Sequence, residues 1–347
     1  PASHNPAEYN GLKLWNPDGL AFSEQQQLDI EADLARSLNR ADWKFVGRMT
    51  ARADLTDRHA KAILSAVGGA DLHVVVDCAC GATSTLTPAV LREMGCRVTA
   101  LNSQPDGHFP GRDPEPTEEN LGDLKRTVVS TGAALGIAHD GDGDRMVAVD
   151  DRGRYVGGDR LLPLFAKLHA RRSIVVPVDA SMALDDLLTG VEVHRTRVGD
   201  VFVGQEVKRL GADFGGEPSG TWIFPKETLC PDGVYAAAYL VSLVKARGRK
   251  LSELVDEIPH YPLFRDAVKF EARKREEVEA ALEREVAGAE GKVSRLDGWR
   301  VQFGDGWVVV RLSGTEPKVR ITAEARERAR AEALLEWGRA LVRRAVT

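Results

Sequence analysis

The feature that most constrains the fold is an alternation of short β-branched runs with helical patterns along most of the chain. His73–Asp77 and Ser173–Val178 are two such runs, and a segment with the apolar spacing of a helix follows each of them. This alternation favours α/β units over an all-α or all-β chain. Pro259–Pro262 is interpreted as a linker, and the order of strands and helices after it indicates a small α+β domain.

The same reasoning assigns most of the other elements. Further predicted strands are Arg97–Leu101, Ala133–His139, Met146–Val149, Val191–Arg195, Phe264–Phe270, Trp299–Phe303, Trp307–Leu312 and Val319–Glu324. Predicted helices are Pro88–Met94, Val201–Leu210, Asp232–Lys245, Lys274–Val286 and a closing helix that runs to Arg344. Asp213–Ile223 is predicted to be a strand, a glycine loop and a second strand.

Charge and composition exclude several function classes. The 47 Lys and Arg residues are scattered and are outnumbered by 52 Asp and Glu residues, so we expect no nucleic-acid partner. No apolar run approaches the roughly 18 residues that a bilayer span needs, and no export signal opens the chain. Four cysteines in 347 residues fit a reducing compartment. We therefore expect a cytoplasmic protein with no membrane partner.

An acidic loop lies between two predicted strands. Asp140, Asp142 and Asp144 alternate with two glycines, and Arg145 follows them. In an extended loop neighbouring carboxylates lie about 6.6 Å apart and repel by roughly 2.5 kcal/mol at an effective dielectric near 20. A buried loop of this kind requires a cation, and hard oxygen ligands indicate Mg²⁺, or Ca²⁺ or Mn²⁺. The alternative is a solvated acidic turn. An EF-hand is excluded because Arg145 occupies the position that needs glycine.

Two short segments carry hydroxyl and carboxylate groups. Ser3 stands beside His4 near the start of the chain, which could be a nucleophile pair or a simple N-terminal turn. The segment Gly215–Thr221 offers Glu217 and two hydroxyls between two short strands. Such a set suits recognition of vicinal sugar hydroxyls, although a hairpin turn would look similar.

A basic segment near the end of the chain is suited to phosphate. Arg311 and Arg320 flank a turn formed by Ser313, Gly314 and Thr315. Consecutive backbone N–H groups, two hydroxyls and two guanidinium forks can surround a phosphate group. The alternative is a structural turn with Arg320 exposed to solvent.

Taken in order, these four segments resemble the active-site loops of the α-D-phosphohexomutase family, which includes phosphoglucomutase, phosphomannomutase and phosphoglucosamine mutase. The resemblance extends from residue 1 to the last helix, and Val198-Gly199-Asp200 is similar to a further family segment near the sugar. It implies that the catalytic residues are Ser3, His4, Lys13 and Arg145. It implies that the metal ligands are Ser3, Asp140, Asp142 and Asp144. It implies that the substrate-binding residues are Gly199, Asp200, Glu217, Ser219 and Thr221. It implies that the phosphate-binding residues are Arg311, Ser313, Gly314, Thr315 and Arg320.

The resemblance also implies a fold, a reaction and its cofactors. The fold is a series of mixed-sheet α/β domains with a C-terminal α+β domain and an active site in the cleft between them. Expected domains are 1–50, 51–158, 159–260 and 261–347, the first being the remnant of an α/β domain that carries the phosphoserine loop. The reaction interconverts a hexose 6-phosphate and a hexose 1-phosphate through a phosphoserine and a hexose 1,6-bisphosphate. Mg²⁺ is the expected metal, and the bisphosphate is the expected activator.

Some features of the chain depart from the family pattern. Many family members begin well upstream, and this chain opens at Pro1 without methionine, so we expect an N-terminally truncated or processed chain. Thr221 replaces a histidine that commonly ends the family's sugar loop. Lys13, by contrast, follows the family's Asn-Gly-x-Lys pattern and is a candidate for proton transfer. The form of the phosphate segment favours phosphoglucosamine mutase, with phosphomannomutase or phosphoglucomutase as alternatives. A non-catalytic sugar-phosphate-binding remnant is the alternative of another class. The expected assembly is a monomer or a homodimer.

Overall fold

The computed structural model describes residues 3–36, 40–52, 54–313 and 316–346. The chain forms two compact units, which are Pro1–Gly157 with Ser219–Leu254, and Gly158–Pro218 with Val255–Thr347. Each unit has buried hydrophobic clusters of its own. In the ranges given above, no helix combines the length and the apolar character needed to cross a bilayer.

The first unit is built on a five-stranded sheet with the strand order β2-β1-β3-β4-β5. Its strands are β1 (His73–Asp77), β2 (Arg97–Leu101), β3 (Leu135–His139), β4 (Met146–Asp150) and β5 (Tyr155–Val156). β1 pairs in parallel with β2 and β3, whereas β4 runs antiparallel to β3. Every residue of β3 and β4 is buried, as is usual for strands covered on both faces. The loop between these two strands therefore starts and ends inside the protein.

Helices and one short strand complete the first unit. They are α1 (Glu24–Leu34), α2 (Asp54–Ala66), α3 (Leu86–Glu93), α4 (Gly122–Thr131), β9 (Trp222–Ile223) and α8 (Gly233–Arg247). α1 begins at a capping box formed by Ser23 and Gln26, and none of its residues is buried. The helices α1, α2 and α4 are absent from the sequence-based prediction. For α1 the reason is the lack of an apolar stripe, which is the signal that such a prediction uses.

The second unit starts with parallel α/β structure. Its elements are α5 (Gly158–His169), β6 (Ser173–Pro177), α6 (Ala183–Leu187), β7 (Glu192–Thr196), α7 (Asp200–Leu210) and β8 (Phe214–Gly216). β6 lies in the centre and pairs in parallel with β7 on one side and β8 on the other. The loops that follow these strands therefore open at the same edge of the sheet, where α/β proteins bind their ligands.

The second unit ends in an antiparallel sheet with the order β10-β14-β13-β12-β11. α9 (Leu251–Asp256) spans the residue at which the first unit ends. The elements that follow are β10 (Leu263–Lys269), α10 (Arg275–Ala287), β11 (Lys292–Ser294), β12 (Trp299–Gln302), β13 (Gly306–Leu312), β14 (Lys318–Ala325) and α11 (Arg328–Val346). α10 and α11 pack on one face around Leu282 and Leu334. On the other face Trp307 and Val309 contact Val178. This sheet is therefore covered on both sides.

The expected fold class is confirmed, because α/β sheets are followed by an antiparallel α+β domain. The predicted strands agree with the structure to within about two residues, and the predicted strand, loop and strand of Asp213–Ile223 is observed as β8 and β9. The short strand β11 escaped prediction because only one of its three residues is partly buried. Pro259–Pro262 is an irregular segment between α9 and β10.

Candidate active site

The loop between β3 and β4 brings three carboxylates together. Asp140, Asp142 and Asp144 each offer an oxygen, and these oxygens lie within 4.8 Å of one another. Asp140 is fully buried, and burial followed by the charges of Asp144 and Asp142 raises its pKa. One oxygen each of Asp142 and Asp144 is buried without a hydrogen-bond partner. Clustered hard oxygens with unused lone pairs fit a divalent cation such as Mg²⁺.

The backbone of this loop explains why the carboxylates converge. Asp140 Oδ1 accepts the backbone N–H groups of Gly143 (3.0 Å) and Arg145 (3.1 Å), which folds the loop back on its first residue. Gly143 has a φ of +84°, a conformation that glycine adopts without strain. The two glycines of the motif therefore serve the turn as well as the close approach of the carboxylates.

Two further glycines, Gly81 and Gly233, pack closely against the backbone of the acidic loop. A Cβ atom on Gly81 would lie 2.3 Å from the carbonyl oxygen of Gly141, and one on Gly233 would lie 2.5 Å from that of Gly143. Both carbonyl groups accept hydrogen bonds, from Ala82 N–H (2.9 Å) and Gly233 N–H (3.1 Å) respectively. Sequence analysis did not identify these supports, although Asp232-Gly233 at a predicted helix start is a signal for a close backbone approach.

Ser3 lies against the acidic loop. Its Oγ donates a hydrogen bond to Asp140 Oδ2 (3.0 Å), across 137 positions of sequence. Its φ of +55° is unusual for a residue other than glycine, as is found at functional turns. His4 Nδ1 is 3.5 Å from Ser3 Oγ. Burial, followed by the charge of Arg145, lowers the pKa of His4, so its imidazole is neutral at neutral pH.

Lys13 provides the positive charge at the mouth of the loop. Its Nζ is 2.6 Å from Asp142 Oδ2 and also forms an ion pair with Asp144 Oδ2. Burial alone would lower the pKa of Lys13, but the charges of Asp144 and Asp142 outweigh burial and raise it. Burial likewise opposes the effect of Lys13 on Asp142, whose pKa is lowered overall. Lys13 is therefore a stable ammonium group in this arrangement.

A cavity of about 600 Å³ opens beside the acidic loop. Lys13 and Asp144 line one part of it, and His59 on α2 and Asp232 at the start of α8 line another. His59 Nε2 is 3.1 Å from Asp232 Oδ2, and this hydrogen bond raises the pKa of His59 against the effect of burial. The volume lies in the range of small-molecule sites. His59 was not identified from the sequence because α2 itself was not predicted.

Residues 219–222 run alongside the start of β4. Thr221 forms an antiparallel bridge with Arg145, and the indole N–H of Trp222 donates to the carbonyl oxygen of Met146 (2.8 Å). Thr221 is buried, and its Oγ1 is 3.4 Å from Ser219 Oγ. The first unit therefore holds these two residues of the predicted sugar loop next to the acidic loop. The Arg145 guanidinium is 3.4 Å from Glu115 and 4.0 Å from Asp140.

The second unit groups another part of the predicted site. Glu217, buried at the end of β8, accepts a hydrogen bond from the backbone N–H of Gly199 (2.8 Å), where β7 leads into α7. Gly199 has a φ of +133°, and Asp200 is the first residue of α7. The N–H of Val198 donates to Asp297 Oδ2 (2.9 Å). Asp297 was not identified from the sequence, and no local pattern marks it.

The basic segment lies at one end of β13 and β14. Arg311 and Arg320 are directly opposite each other in the register of these strands, an unfavourable placement for like charges unless an anion lies near. Arg311 Nε is 3.7 Å from Asp297 Oδ2, and Arg320 pairs with Glu316 (3.2 Å). The pKa of Glu316 is lowered by its hydrogen bond from Lys318 and by Arg320.

Ser313 is the buried end of this segment. Its N–H donates to the carbonyl oxygen of Lys318 (2.9 Å), and its own carbonyl oxygen accepts from Arg275 Nη1 (2.9 Å). Gly314 and Thr315, which were predicted to bind phosphate, lie outside the described residues. Arg275 is a support that the sequence did not indicate.

Comparison with known proteins accounts for this set of loops. The chain matches four domains of the phosphoglucomutase/phosphomannomutase family: alpha/beta/alpha domain I over residues 1–41, domain II over 54–153, domain III over 157–261 and the C-terminal domain over 267–340. The chain belongs to the phosphoglucomutase/phosphomannomutase family. The resemblance stated from the motifs is thereby confirmed.

Relatives within this family are close in sequence. A protein of Methanocella arvoryzae described as a probable phosphoglucosamine mutase is 51% identical over 345 residues, covering 99% of this chain and 78% of the relative. A protein of Methanosarcina barkeri with the same description is 52% identical over 334 residues, covering 94% of this chain and 75% of the relative.

Solved structures of family members share the fold. A phosphoglucomutase/phosphomannomutase family protein from Burkholderia thailandensis superimposes with a TM-score of 0.82 at 26% identity, covering 99% of this chain and 75% of that one. The N-acetylphosphoglucosamine mutase of Aspergillus fumigatus, solved in complex with GlcNAc-6P and magnesium, gives a TM-score of 0.66 at 16% identity, covering 100% of this chain and 88% of that one. At that identity the similarity shows the fold alone.

Proposed function

We propose that this family member is a phosphoglucosamine mutase, which interconverts the 6-phosphate and the 1-phosphate of a hexosamine. The two relatives above, at about half identity, supply the substrate class. The observation that carries the chemistry is Ser3 Oγ, hydrogen-bonded to the innermost of three clustered carboxylates. Phosphomannomutase and phosphoglucomutase are the alternatives within the family.

In this proposal Ser3 carries the phosphoryl group, and Asp140 orients Ser3 Oγ. Asp140, Asp142 and Asp144, together with Ser3, would hold Mg²⁺, and the two carboxylate oxygens without partners support this assignment. Bound Mg²⁺ supplies positive charge that offsets the charge of a phosphoryl group in transfer. Arg145 adds a guanidinium near the same oxygens.

Lys13 is assigned to proton transfer and His4 to the orientation of Ser3. When the phosphoryl group passes from Ser3 to the sugar, the sugar hydroxyl loses a proton and Ser3 Oγ gains one; in the return step Ser3 Oγ loses its proton and the leaving sugar oxygen gains one. Lys13, held as an ammonium group, is the proposed proton donor for the return step. His4 is neutral and lies 3.5 Å from Ser3 Oγ, so it is proposed to orient the serine.

Substrate recognition is proposed for the remaining predicted residues. For the sugar hydroxyls they are Gly199, Asp200, Glu217, Ser219 and Thr221. For the non-transferring phosphate they are Arg311, Ser313, Gly314, Thr315 and Arg320. The hexose 1,6-bisphosphate activator, the cytoplasmic location and a monomeric or homodimeric state remain predictions.

The deciding experiment follows phosphate on Ser3. The chain is incubated with hexose 1,6-bisphosphate and MgCl₂, its peptides are mapped by mass spectrometry, and turnover of glucosamine 6-phosphate is assayed. We expect a phosphoryl group on Ser3 and turnover, with both lost in Ser3→Ala. The matched control is Ser65→Ala, which removes an exposed hydroxyl on α2 and leaves both intact. Binding of hexose phosphate without turnover or phosphoserine would instead establish the non-catalytic alternative.

A further inference from the structure

A second cavity, of about 460 Å³, lies within the second unit. The charged residues that line it are Arg195, Lys292, Arg300, Arg326, Asp185 and Asp186. Four positive and two negative side chains leave a formal charge of 4 − 2 = +2. None of the residues assigned above to the metal, the sugar or the phosphate lines this cavity.

Ion pairing inside the cavity leaves two cations without a carboxylate partner. Arg195 binds Asp185 through two hydrogen bonds of 3.1 and 2.6 Å, and Arg326 donates to Asp186 (2.9 Å). These two pairs use both carboxylates of the lining. Over the described residues, Lys292 and Arg300 form no ion pair with an acidic side chain.

Arg300 is the unusual member of this group. It is only 6% exposed, and its guanidinium lies over the ring of Trp307, 4.3 Å from the centroid. Its hydrogen-bond acceptors are neutral, namely the carbonyl oxygen of Val178 and Gln302 Oε1. Burial, followed by the charge of Arg195, lowers the pKa of Arg300 to about 9. The charges of Asp185, Glu324 and Asp179 oppose this lowering, but among the described residues none of the three forms an ion pair with Arg300. A buried cation without such a partner is costly unless an anion compensates it.

Unused donors accompany the unpaired charge. The Nε atom of Arg195 is buried without a hydrogen-bond partner. Arg300 uses one N–H on each terminal nitrogen and has five in all. Lys292, which is exposed on the edge strand β11, adds an ammonium group. A phosphate dianion matches this set, because it has two charges and several terminal oxygens that accept from arginine forks.

We propose that this cavity binds a small molecule through its phosphate dianion, at a site separate from the acidic loop and from the Arg311 to Arg320 segment. The volume exceeds that of a phosphate group alone, and the apolar side chains of Met182 and Leu296 also line it. A phosphate monoester therefore suits the cavity better than free phosphate. Binding at this cavity does not require mutase activity.

The walls of the cavity come from both parts of the second unit. Val178 and Arg195 belong to the α/β part, whereas Lys292 and Arg300 belong to the antiparallel sheet. A bound phosphate is therefore expected to join these two parts and to raise the unfolding temperature of the second unit.

The test uses inorganic phosphate as the probe. It is titrated calorimetrically, at constant ionic strength set with chloride, into the full chain carrying Arg311→Gln and Arg320→Gln. We expect one phosphate to bind, and Lys292→Gln added to this chain to weaken binding at least five-fold. The matched control is Arg284→Gln, which removes an exposed charge of α10 and is expected to change affinity less than two-fold. The proposal would be overturned if the chain carrying only Arg311→Gln and Arg320→Gln bound no phosphate. It would also be overturned if Lys292→Gln and Arg284→Gln changed the affinity for phosphate equally.

Two further measurements keep the test decisive. Succinate, a dicarboxylate of the same charge, is expected to bind at least five-fold more weakly than phosphate, and equal binding would contradict the choice of phosphate. In the chain with Arg311 and Arg320 intact, Lys292→Gln should reduce the phosphate-dependent rise in Tm more than Arg284→Gln does. Identical rises in these two variants would also reject the site.

Discussion

Replacing Asp140 by asparagine should change stability and metal binding in opposite directions. Asparagine has nearly the same shape, and its Oδ1 can still accept the N–H groups of Gly143 and Arg145 that fold the loop. What the substitution removes is the negative charge of the innermost of three carboxylates. The Nδ2 group that replaces Oδ2 can donate to Ser3 Oγ, so that hydrogen bond is reversed rather than removed. The change in unfolding temperature therefore reports mainly on the charge rather than on a cavity or a broken turn.

The geometry gives the expected size of the effect. Carboxylate oxygens within 4.8 Å of each other repel by about 3.5 kcal/mol or more per pair at an effective dielectric of 20, so two neighbours oppose the charge of Asp140 by about 7 kcal/mol. Attraction to Arg145 at 4.0 Å offsets about 4 kcal/mol of this repulsion, and attraction to nearby Lys13 offsets more of it. Without metal, Asp140→Asn should therefore stabilise the first unit by about 1–3 kcal/mol, which is several degrees in Tm.

Mg²⁺ should reverse the order of stability, so that the wild-type chain becomes more stable than Asp140→Asn. A ligand present at a hundred times its Kd stabilises the folded chain by about 2.7 kcal/mol, which the wild-type chain gains and the variant forfeits. The assay is differential scanning calorimetry in EDTA and in MgCl₂, with Asp123→Asn as a control for loss of an exposed charge. An undiminished Mg²⁺-dependent rise in Asp140→Asn would exclude the three carboxylates as the metal site. A lower Tm than wild type in EDTA would refute the electrostatic argument.

Three further outcomes can be measured. Glu324→Ala leaves three buried donors without their acceptor and should lower the free energy of unfolding in urea by about 3–6 kcal/mol, whereas Glu324→Gln should cost less. Burial raises the pKa of Asp179, so the stabilising contribution of its neutral form is present below about pH 4 and is lost as the pH rises through the raised pKa. The free energy of unfolding of Asp179→Asn should therefore increase relative to that of the wild-type chain as the pH rises from about 4 to about 7. Gly233→Ala places a Cβ 2.5 Å from the carbonyl oxygen of Gly143 and should reduce the Mg²⁺-dependent rise in Tm, while Gly47→Ala, which meets no atom within 4 Å, should not.

Much of the fold follows from local patterns. The β-branched run His73–Asp77 is a buried strand in the structure with the bounds that were predicted. Such a segment can be recognised because each residue's burial is reflected in its own side chain and those of its neighbours. α1 and β11 lack that signal, since α1 buries nothing and β11 is three residues long. These elements could not be predicted from the sequence because no apolar stripe marks them.

The sequence by itself determined which chemical groups are present: a serine, three alternating carboxylates, a hydroxyl-rich glycine loop and paired arginines. Their local spacing sufficed because each motif is short and its residues are neighbours along the chain. Only the tertiary structure placed Ser3 Oγ on Asp140 and Lys13 on Asp142, contacts that bridge more than a hundred residues. It alone revealed that Arg300 is buried without an acidic partner among the described residues, with its guanidinium bonded to Val178, a residue far from it in sequence. Such contacts depend on sheet order and loop closure, which no local pattern encodes.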